Sequence, residues 1–230
     1  MLLIAHRGGT DRYPELTLEA SQCSLELGAD YVELDIRFTK DNVPVIAHDS
    51  DALRLFGNSS KISDLTEEQF KSLKYLLNDS CHPHTLEEVL KSGVAPILFH
   101  IKEGGSALTR ILEYIRAHGY EDKVIMGVVT VGDVRLVKAF NHEIKVLAFI
   151  PSKEAIMEFI EQGADIIRLW EPWVDEPSVS LVQQAGKQVW IMAAYGGIIG
   201  NTSAEKIVQW KHMGIDGVLA DLVAENKALL

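Results

Sequence analysis

Two histidine-containing segments flank an acidic strand near the start of the chain, and together they supply the groups that cleavage of a phosphate ester needs. The first segment is His6-Arg7-Gly8-Gly9 and the second is His48-Asp49. The strand between them reads Tyr31-Val32-Glu33-Leu34-Asp35-Ile36. Imidazoles exchange protons near neutral pH, an arginine binds an anionic substrate, and carboxylates begin a metal site. This combination predicts a phosphate-ester site.

Glu33 and Asp35 are the core of the predicted metal site. They are two residues apart on one strand, so their side chains share a face at a spacing of roughly 6.5–7 Å along the backbone. Burying two carboxylates side by side is costly unless a cation or a proton offsets their repulsion. The alternative is a half-exposed strand with solvated acids. We favour a divalent cation held by oxygen ligands, because strands at the centre of a barrel do not face open water.

The two histidines each end an apolar run. His6 follows Met1–Ala5, and the glycines after Arg7 allow the backbone to approach a ligand closely. Pro14-Glu15-Leu16-Thr17 then brings a third carboxylate towards the same rim. His48 follows Val43–Ala47, and Asp49 is placed to orient its imidazole.

Composition and charge narrow the classes of protein. The chain has 230 residues, 47% of them hydrophobic, so it is long enough for one substantial core, and no linker-like segment divides it. We predict a single domain over residues 1–230. The net charge of −11 argues against nucleic acid as a partner, because that binding requires lysines and arginines to neutralise phosphates. Two cysteines are too few for a disulfide framework or a four-cysteine zinc site.

The apolar N-terminal run is too short for a signal peptide, and no later run approaches the ~18–20 residues of a membrane span. We therefore expect a cytoplasmic protein that acts on a small molecule and does not insert stably into a membrane. The oligomeric state is left open.

Short apolar runs alternate with amphipathic stretches along the chain. The predicted strands are Leu2–Ala5, Tyr31–Phe38, Val43–Ala47, Ile97–Ile101, Val124–Val129, Val146–Ile150, Ile166–Leu169, Val189–Ala193 and Gly217–Ala220. The predicted helices are Leu16–Leu27, Thr66–Leu76, Leu86–Lys91, Ala107–His118, Val131–Phe140, Lys153–Gln162, Pro177–Ala185 and Ser203–Met213. Apolar strands alternating with helices indicate a parallel sheet covered by helices.

About eight such units fit a compact TIM (β/α)8 barrel. A doubly wound open sheet is the alternative, but no Gly-x-Gly-x-x-Gly follows the first strand. In a TIM barrel the active site lies at the C-terminal ends of the strands, where the candidate residues fall.

A series of motifs in a fixed order spans nearly the whole chain. They are His6-Arg7-Gly8, Pro14-Glu15-Leu16-Thr17, Gly28-Ala29-Asp30 with Glu33 and Asp35, and Asp41-Asn42-Val43-Pro44-Val45 with His48-Asp49. Similarity continues through Ile62–Thr66, Thr85–Leu90 and Gly214–Val218 and ends at Asp221. In these motifs the chain resembles the glycerophosphodiester phosphodiesterase family.

The resemblance implies a TIM barrel of the phospholipase-C-like phosphodiesterase type, a divalent cation (magnesium or calcium) and a glycerol-linked phosphodiester substrate. Carried onto this sequence, the resemblance assigns His6 and His48 as the general acid/base pair and Arg7 as the residue that binds the phosphate. The family mechanism passes through a cyclic phosphate. One histidine activates the glycerol hydroxyl beside the phosphate, and the other protonates the leaving alcohol.

The same resemblance assigns Glu33 and Asp35 to the metal, and Glu15 to the metal or the substrate. On the third barrel strand the family usually has Glu-x-Lys, where this chain has His100-Ile101-Lys102. Lys102 keeps the phosphate-binding position, whereas His100 replaces a carboxylate. Imidazole suits manganese, zinc and other transition metals better than calcium or magnesium. Either His100 is a direct ligand with an altered metal preference, or the three carboxylates hold the metal alone.

A second departure lies on the seventh barrel strand, where the family commonly has Trp-x-x-Asn and this chain has Trp190-Ile191-Met192-Ala193. We predict that Trp190 forms an apolar wall for the glycerol moiety of the substrate, with core packing as the alternative. Because the asparagine is missing, the family pattern does not define all of the specificity for the alcohol part of the substrate.

The leading hypothesis is metal-dependent hydrolysis of glycerophosphodiesters to sn-glycerol 3-phosphate and an alcohol. One alternative is a phosphodiesterase of the same fold that acts on a lysophospholipid or a sugar phosphodiester. Another is a catalytically weakened protein that binds phosphorylated metabolites. The histidine at position 100, in place of the family's carboxylate, supports the hypothesis of a weakened protein. The presence of His6, His48, Glu33 and Asp35 argues against that hypothesis.

Overall fold

The chain folds around a closed barrel of parallel strands. The structure is a computed structural model and describes residues 1–230. Its strands are β1 (Leu2–Ala5), β2 (Tyr31–Phe38), β3 (Pro44–Ile46), β4 (Ile97–Ile101), β5 (Val124–Val128), β6 (Lys145–Phe149), β7 (Ile166–Trp170), β8 (Gln188–Met192) and β9 (Gly217–Ala220). They form a nine-stranded sheet in the order β1-β9-β8-β7-β6-β5-β4-β2-β3. Because β1 also pairs with β2, eight parallel strands close into a TIM barrel, and β3 lies outside it, antiparallel to β2.

Helices connect the barrel strands and cover their outer faces. They are α1 (Leu18–Glu26), α2 (Leu53–Phe56), α3 (Glu67–Lys71), α4 (Leu86–Ser92), α5 (Ser106–Ala117), α6 (Val131–Phe140), α7 (Ile156–Glu161), α8 (Glu176–Gln184), α9 (Ala204–His212) and α10 (Val223–Lys227). A side chain caps the N-terminus of most of the longer ones; Thr85, for example, accepts from the backbone N–H of Glu88 at the start of α4. None of the helices is both long and apolar enough to cross a membrane.

The predicted fold is confirmed, and most of the differences lie between β2 and β4. The run Val43–Ala47 is not a barrel strand, because its central residues pair antiparallel with the end of β2. The helix predicted over Thr66–Leu76 ends at Lys71, and the chain then turns so that the N–H of Leu76 can donate to the carbonyl of Leu55 at 2.9 Å. The short helices α2 and α10 were not predicted.

Alternate residues of each strand point into the barrel, where a small apolar core fills the part below the C-terminal rim. Trp190 lies in this core, fully buried against Tyr31, with ring centroids 5.7 Å apart. Two glycines make room for large rings in the interior. A Cβ atom at Gly217 would lie 2.9 Å from the Trp190 ring, and one at Gly127 would lie 2.5 Å from Phe149.

The segment between β2 and β4 packs on the C-terminal rim of the barrel and carries His48. Its own apolar cluster includes Val45, Ile62 and Phe70. Arg37, on β2, donates from Nε to the backbone carbonyl of His48 at 2.8 Å. The segment is thus anchored both by packing and by the barrel, which fixes His48 at the mouth of the barrel.

Candidate active site

A cavity of about 300 Å³ opens at the C-terminal ends of the barrel strands. Its charged and polar lining consists of His6, Arg7, Glu33, Asp35, His48, His100, Lys102 and Arg168. Its apolar lining consists of Phe149, Trp170, Met192, Ile199 and Leu219. The structure therefore brings together seven of the nine predicted site residues. Glu15 and Trp190 do not line the cavity.

Glu33 is buried beside Asp35, as the period of the strand predicts. One of its oxygens, Oε2, accepts from the backbone N–H of Arg7 at 2.8 Å. Arg7 can present this N–H because its φ of 52° is left-handed, which is uncommon for a residue with a side chain. Burial, together with the charge of Asp35, raises the pKa of Glu33 to about 7. The carboxylate therefore lacks the positive charge it needs to be fully ionised at neutral pH.

Asp35 faces His100 and Lys102. Its Oδ1 atom lies 2.9 Å from His100 Nδ1 and 2.8 Å from Lys102 Nζ, and Lys102 Nζ lies 3.0 Å from His100 Nδ1. Burial opposes ionisation of Asp35, but its contacts with His100 and the charge of Lys102 prevail and hold its pKa well below the usual range. Burial lowers the pKa of His100 to about 4, so the imidazole is neutral at pH 7. Its ring stacks on Phe149, with centroids 3.7 Å apart.

The donor set fits a divalent cation. Glu33, Asp35 and His100 each offer a ligand atom, and these atoms lie within 4.8 Å of one another. Both oxygens of Asp35 are buried without a hydrogen bond of good geometry, an arrangement that a bound cation would satisfy. Two carboxylate oxygens and one imidazole nitrogen are ligands that manganese and zinc accept readily. The ammonium of Lys102 already contacts two of these three residues, Asp35 and His100, so this part of the cavity attracts positive charge.

Each of the two histidines is held by a carboxylate. His6 Nδ1 lies 2.7 Å from Asp221 Oδ1, and His48 Nδ1 lies 2.8 Å from Asp49 Oδ1. These contacts favour the proton on Nδ1 in both rings, which leaves Nε2 as the atom available for proton transfer. Burial lowers the pKa of His48, against the opposing effect of Asp35 and Asp49.

Arg7 is fixed on both sides. Its Nη2 donates to His48 Nε2 at 2.9 Å, and its Nη1 donates to Glu15 Oε1 at 3.1 Å. Glu15 also accepts from Arg54 Nη2 at 2.6 Å, and Arg54 Nε donates to Asp49 Oδ2 at 2.6 Å. The carboxylate of Glu15 is thus used to position two guanidinium groups and is not part of the acidic cluster.

The glycines after Arg7 are required by the packing of α1. The φ values of Gly8 and Gly9 are 82° and 83°, a region that favours glycine. A Cβ atom on Gly9 would lie 2.1 Å from Ser24 Oγ, which itself donates to the carbonyl of Gly8 at 2.7 Å. The turn therefore holds the first strand, and with it His6 and Arg7, against α1.

Three functional candidates were missed from the sequence. Asp221 was noted only as the end of a motif, Arg54 lies in a segment without a motif, and Arg168 lies in an apolar run. A charged residue inside Ile166–Trp170 was the one available signal, because a buried strand rarely carries an arginine without a role. Asp221 and Arg54 contact residues remote in sequence, which spacing does not reveal.

Comparison with known proteins identifies the family. The chain matches the model of the glycerophosphoryl diester phosphodiesterase family over residues 6–225. It belongs to this family. One relative is glycerophosphodiester phosphodiesterase 1 of Bos taurus, 31% identical over 173 residues, which are 74% of this chain and 49% of the relative. The protein of the same name from Mus musculus is 41% identical over 100 residues, 42% of this chain and 30% of the relative. The chain thus spans half or less of the length of these curated relatives.

Solved structures share the fold along the whole chain. The glycerophosphodiester phosphodiesterase of Thermotoga maritima is 27% identical, with a TM-score of 0.80 over 100% of this chain and 98% of that one. A phosphodiesterase of Oleispira antarctica, solved in complex with the product sn-glycerol-3-phosphate, has a TM-score of 0.86 over 100% and 96% of the chains. At 18% identity, the second likeness shows the barrel alone.

Proposed function

We propose that this member of the glycerophosphoryl diester phosphodiesterase family hydrolyses glycerophosphodiesters to sn-glycerol 3-phosphate and an alcohol. The observation that carries the proposal is the shared cavity of His6, His48, Arg7 and the acidic pair. Two imidazoles whose Nδ1 atoms contact carboxylates lie beside three cationic side chains and the proposed metal ligands. An acid, a base, an anion site and a metal site are what cleavage of a phosphodiester requires.

Glu33, Asp35 and His100 would hold a divalent cation. When bound, the cation would neutralise charge on the phosphate in the transition state. Family resemblance favours magnesium or calcium, whereas an imidazole in the donor set favours manganese or zinc. Glu15 is bound by Arg7 and Arg54, so we assign it to the support of Arg7 in preference to the metal.

Arg7 and Lys102 would bind the phosphate oxygens. Because Arg7 Nη2 donates to His48 Nε2, a phosphate that takes up this N–H releases the imidazole nitrogen for proton transfer. One histidine takes the proton of the glycerol hydroxyl, whose oxygen attacks phosphorus to form a cyclic phosphate. The other gives a proton to the oxygen of the leaving alcohol. Water then opens the cyclic ester, with the roles of acid and base exchanged.

A lysophospholipid is a second candidate substrate, and the apolar wall of the cavity favours it. Trp170, Met192 and Leu219 form this wall, and Ile199 extends it to the mouth. The adjacent Ile198 is 63% exposed, so the apolar surface continues outside the cavity. An alkyl chain leaving the site here would find apolar side chains to contact. Trp190 does not reach the substrate from its place in the barrel core.

The test is hydrolysis by metal-stripped protein with magnesium, calcium, manganese or zinc added in turn. The substrates are glycerophosphocholine, glycerophosphoethanolamine and lysophosphatidylcholine, and released sn-glycerol 3-phosphate, or lysophosphatidic acid for the lipid, is measured. His6→Ala and His48→Ala should abolish turnover without loss of fold. His142→Ala is the matched control, since the His142 side chain is 82% exposed and far from the cavity lining. Absence of both products with every cation would refute the proposal.

A further inference from the structure

Arg168 is a buried cation in the cavity that none of the roles above uses. It is the central residue of β7, and its side chain points into the barrel while Ile167 and Leu169 face the outer core. Only 5% of its surface is exposed. Two of its three nitrogens, Nε and Nη1, are buried without a hydrogen-bond partner. Arginine is rarely buried in this way unless it is paired.

An unpaired guanidinium in this position is costly to the fold. Taking a charge out of water is unfavourable unless another group compensates, and unsatisfied N–H groups add to the penalty. Burial lowers the pKa of Arg168 to about 10, with Glu33 opposing the shift, so the group stays charged at neutral pH. Glu33 is near enough to favour the charge but does not bond to Nε or Nη1.

Two aromatic rings lie beside the guanidinium. The Cζ atom lies 4.1 Å from the centroid of Trp170 and 5.0 Å from that of Phe149. Such contacts stabilise a cation but leave its N–H donors without hydrogen-bond acceptors. Phe149 in turn stacks on His100, so the ring that supports Arg168 also supports a residue of the proposed metal site.

The other two cavity cations are more fully engaged. Arg7 donates to Glu15 and His48, which leaves only its Nε without a partner, and Lys102 contacts both Asp35 and His100. Arg168 has no hydrogen bond, and Nη2, the one of its nitrogens that keeps accessible surface, remains for an anion in the cavity.

We propose that Arg168 is an anion-binding residue of the cavity and that its Nη2 donates to a non-bridging oxygen of the substrate phosphate. The inference rests on the proposed function, since it concerns the phosphate of the same reaction. It also gives the replacement at position 100 a counterpart: the site has one carboxylate fewer than the family pattern and contains a buried guanidinium whose accessible nitrogen can serve an anion.

The test is binding of inorganic phosphate and of sn-glycerol 3-phosphate to the full chain, measured by calorimetry with and without added manganese. Arg168→Met removes the charge and keeps apolar bulk, so we expect both ligands to bind at least about tenfold more weakly. Its Tm should equal or exceed that of the wild type, because an unpaired buried charge is removed. Arg110→Met, on the exposed face of α5, is the matched control and should bind both ligands like the wild type.

Wild-type affinity of Arg168→Met for either ligand would overturn the inference and leave Arg168 a structural residue. Should that variant fail to fold, Arg168→Lys decides: it keeps the charge but ends one bond short of the position of Nη2, so unchanged affinity would equally refute the contact through Nη2. A protein that hydrolyses diesters and binds phosphate without Arg168 refutes this inference alone. A protein that binds phosphate through Arg168 but hydrolyses no diester refutes the proposed function alone.

Discussion

Residue 100 sets the charge of the proposed metal site, and His100→Glu tests that site most directly. The imidazole is neutral at pH 7, because burial lowers the pKa of His100 to about 4. A carboxylate in its place would join Glu33 and Asp35, in a cluster whose ligand atoms lie within 4.8 Å of one another. At an effective dielectric constant of about 20, two like charges at such a separation repel by roughly 3 kcal/mol. Lys102 and Arg168 offset part of this repulsion.

We therefore expect metal-free His100→Glu to lose about 1–3 kcal/mol of unfolding free energy. For a domain of this size, each 1 kcal/mol lowers the Tm by about 2–4 °C. Magnesium or calcium should then raise the Tm of the variant more than that of the wild type, because the added carboxylate supplies a hard oxygen ligand. Manganese and zinc should lose the advantage that the imidazole gives them.

The assay is thermal unfolding of chelator-treated protein with each of the four cations, alongside release of sn-glycerol 3-phosphate. His100→Gln is the control, since it removes the imidazole without adding charge and should leave the metal-free Tm close to that of the wild type. If the wild type and His100→Glu show the same order of cations in both measurements, His100 is not a ligand and the charge argument is wrong.

Three further substitutions test the supports of the site. Asp221→Asn should lower kcat at least about tenfold with little change in KM or in the circular dichroism spectrum, because a neutral amide no longer fixes the imidazole of His6. An unchanged kcat would contradict this. Arg54→Met should reduce activity in the hydrolysis assay but cost only about 0–1 kcal/mol in denaturant unfolding, since its side chain is 44% exposed. Gly127→Ala should cost about 1–3 kcal/mol in the same unfolding experiment by displacing Phe149, whereas the control Gly132→Ala, in an unstrained helix, should not destabilise; equal stability of the two alanine variants would refute the packing argument.

Much of the fold was predictable because local sequence and global topology agree. Continuous apolar runs such as Val146–Phe149 read as buried strands, and glycines such as Gly119 and Gly163 end the helices between them. The acidic pair followed from the two-residue period of β2. The excursion between β2 and β4 was less predictable, since its short helices depend on contacts such as the one between Leu55 and Leu76.

The sequence predicted which types of residue form the site, but not which residues each of them contacts. Glu15 was expected near the metal because it is a third carboxylate at the rim, but the structure places it between Arg7 and Arg54. Trp190 was expected beside the substrate, and it fills the barrel because Gly217 leaves space for its ring. Both outcomes depend on packing between strands or loops that are distant in sequence, and no spacing rule encodes such contacts.

The bond between His6 and Asp221 joins the two ends of the barrel, across 215 residues of chain. Closing a loop of this length costs about 5 kcal/mol of chain entropy, which only the completed pairing of β1 with β9 can offset. While the chain is still being made on the ribosome, the first imidazole is present but the aspartate that sets its tautomer is not. Activity should thus arise late and in one step, when the last strand emerges and the barrel shuts. An incomplete chain would then lack the proposed activity.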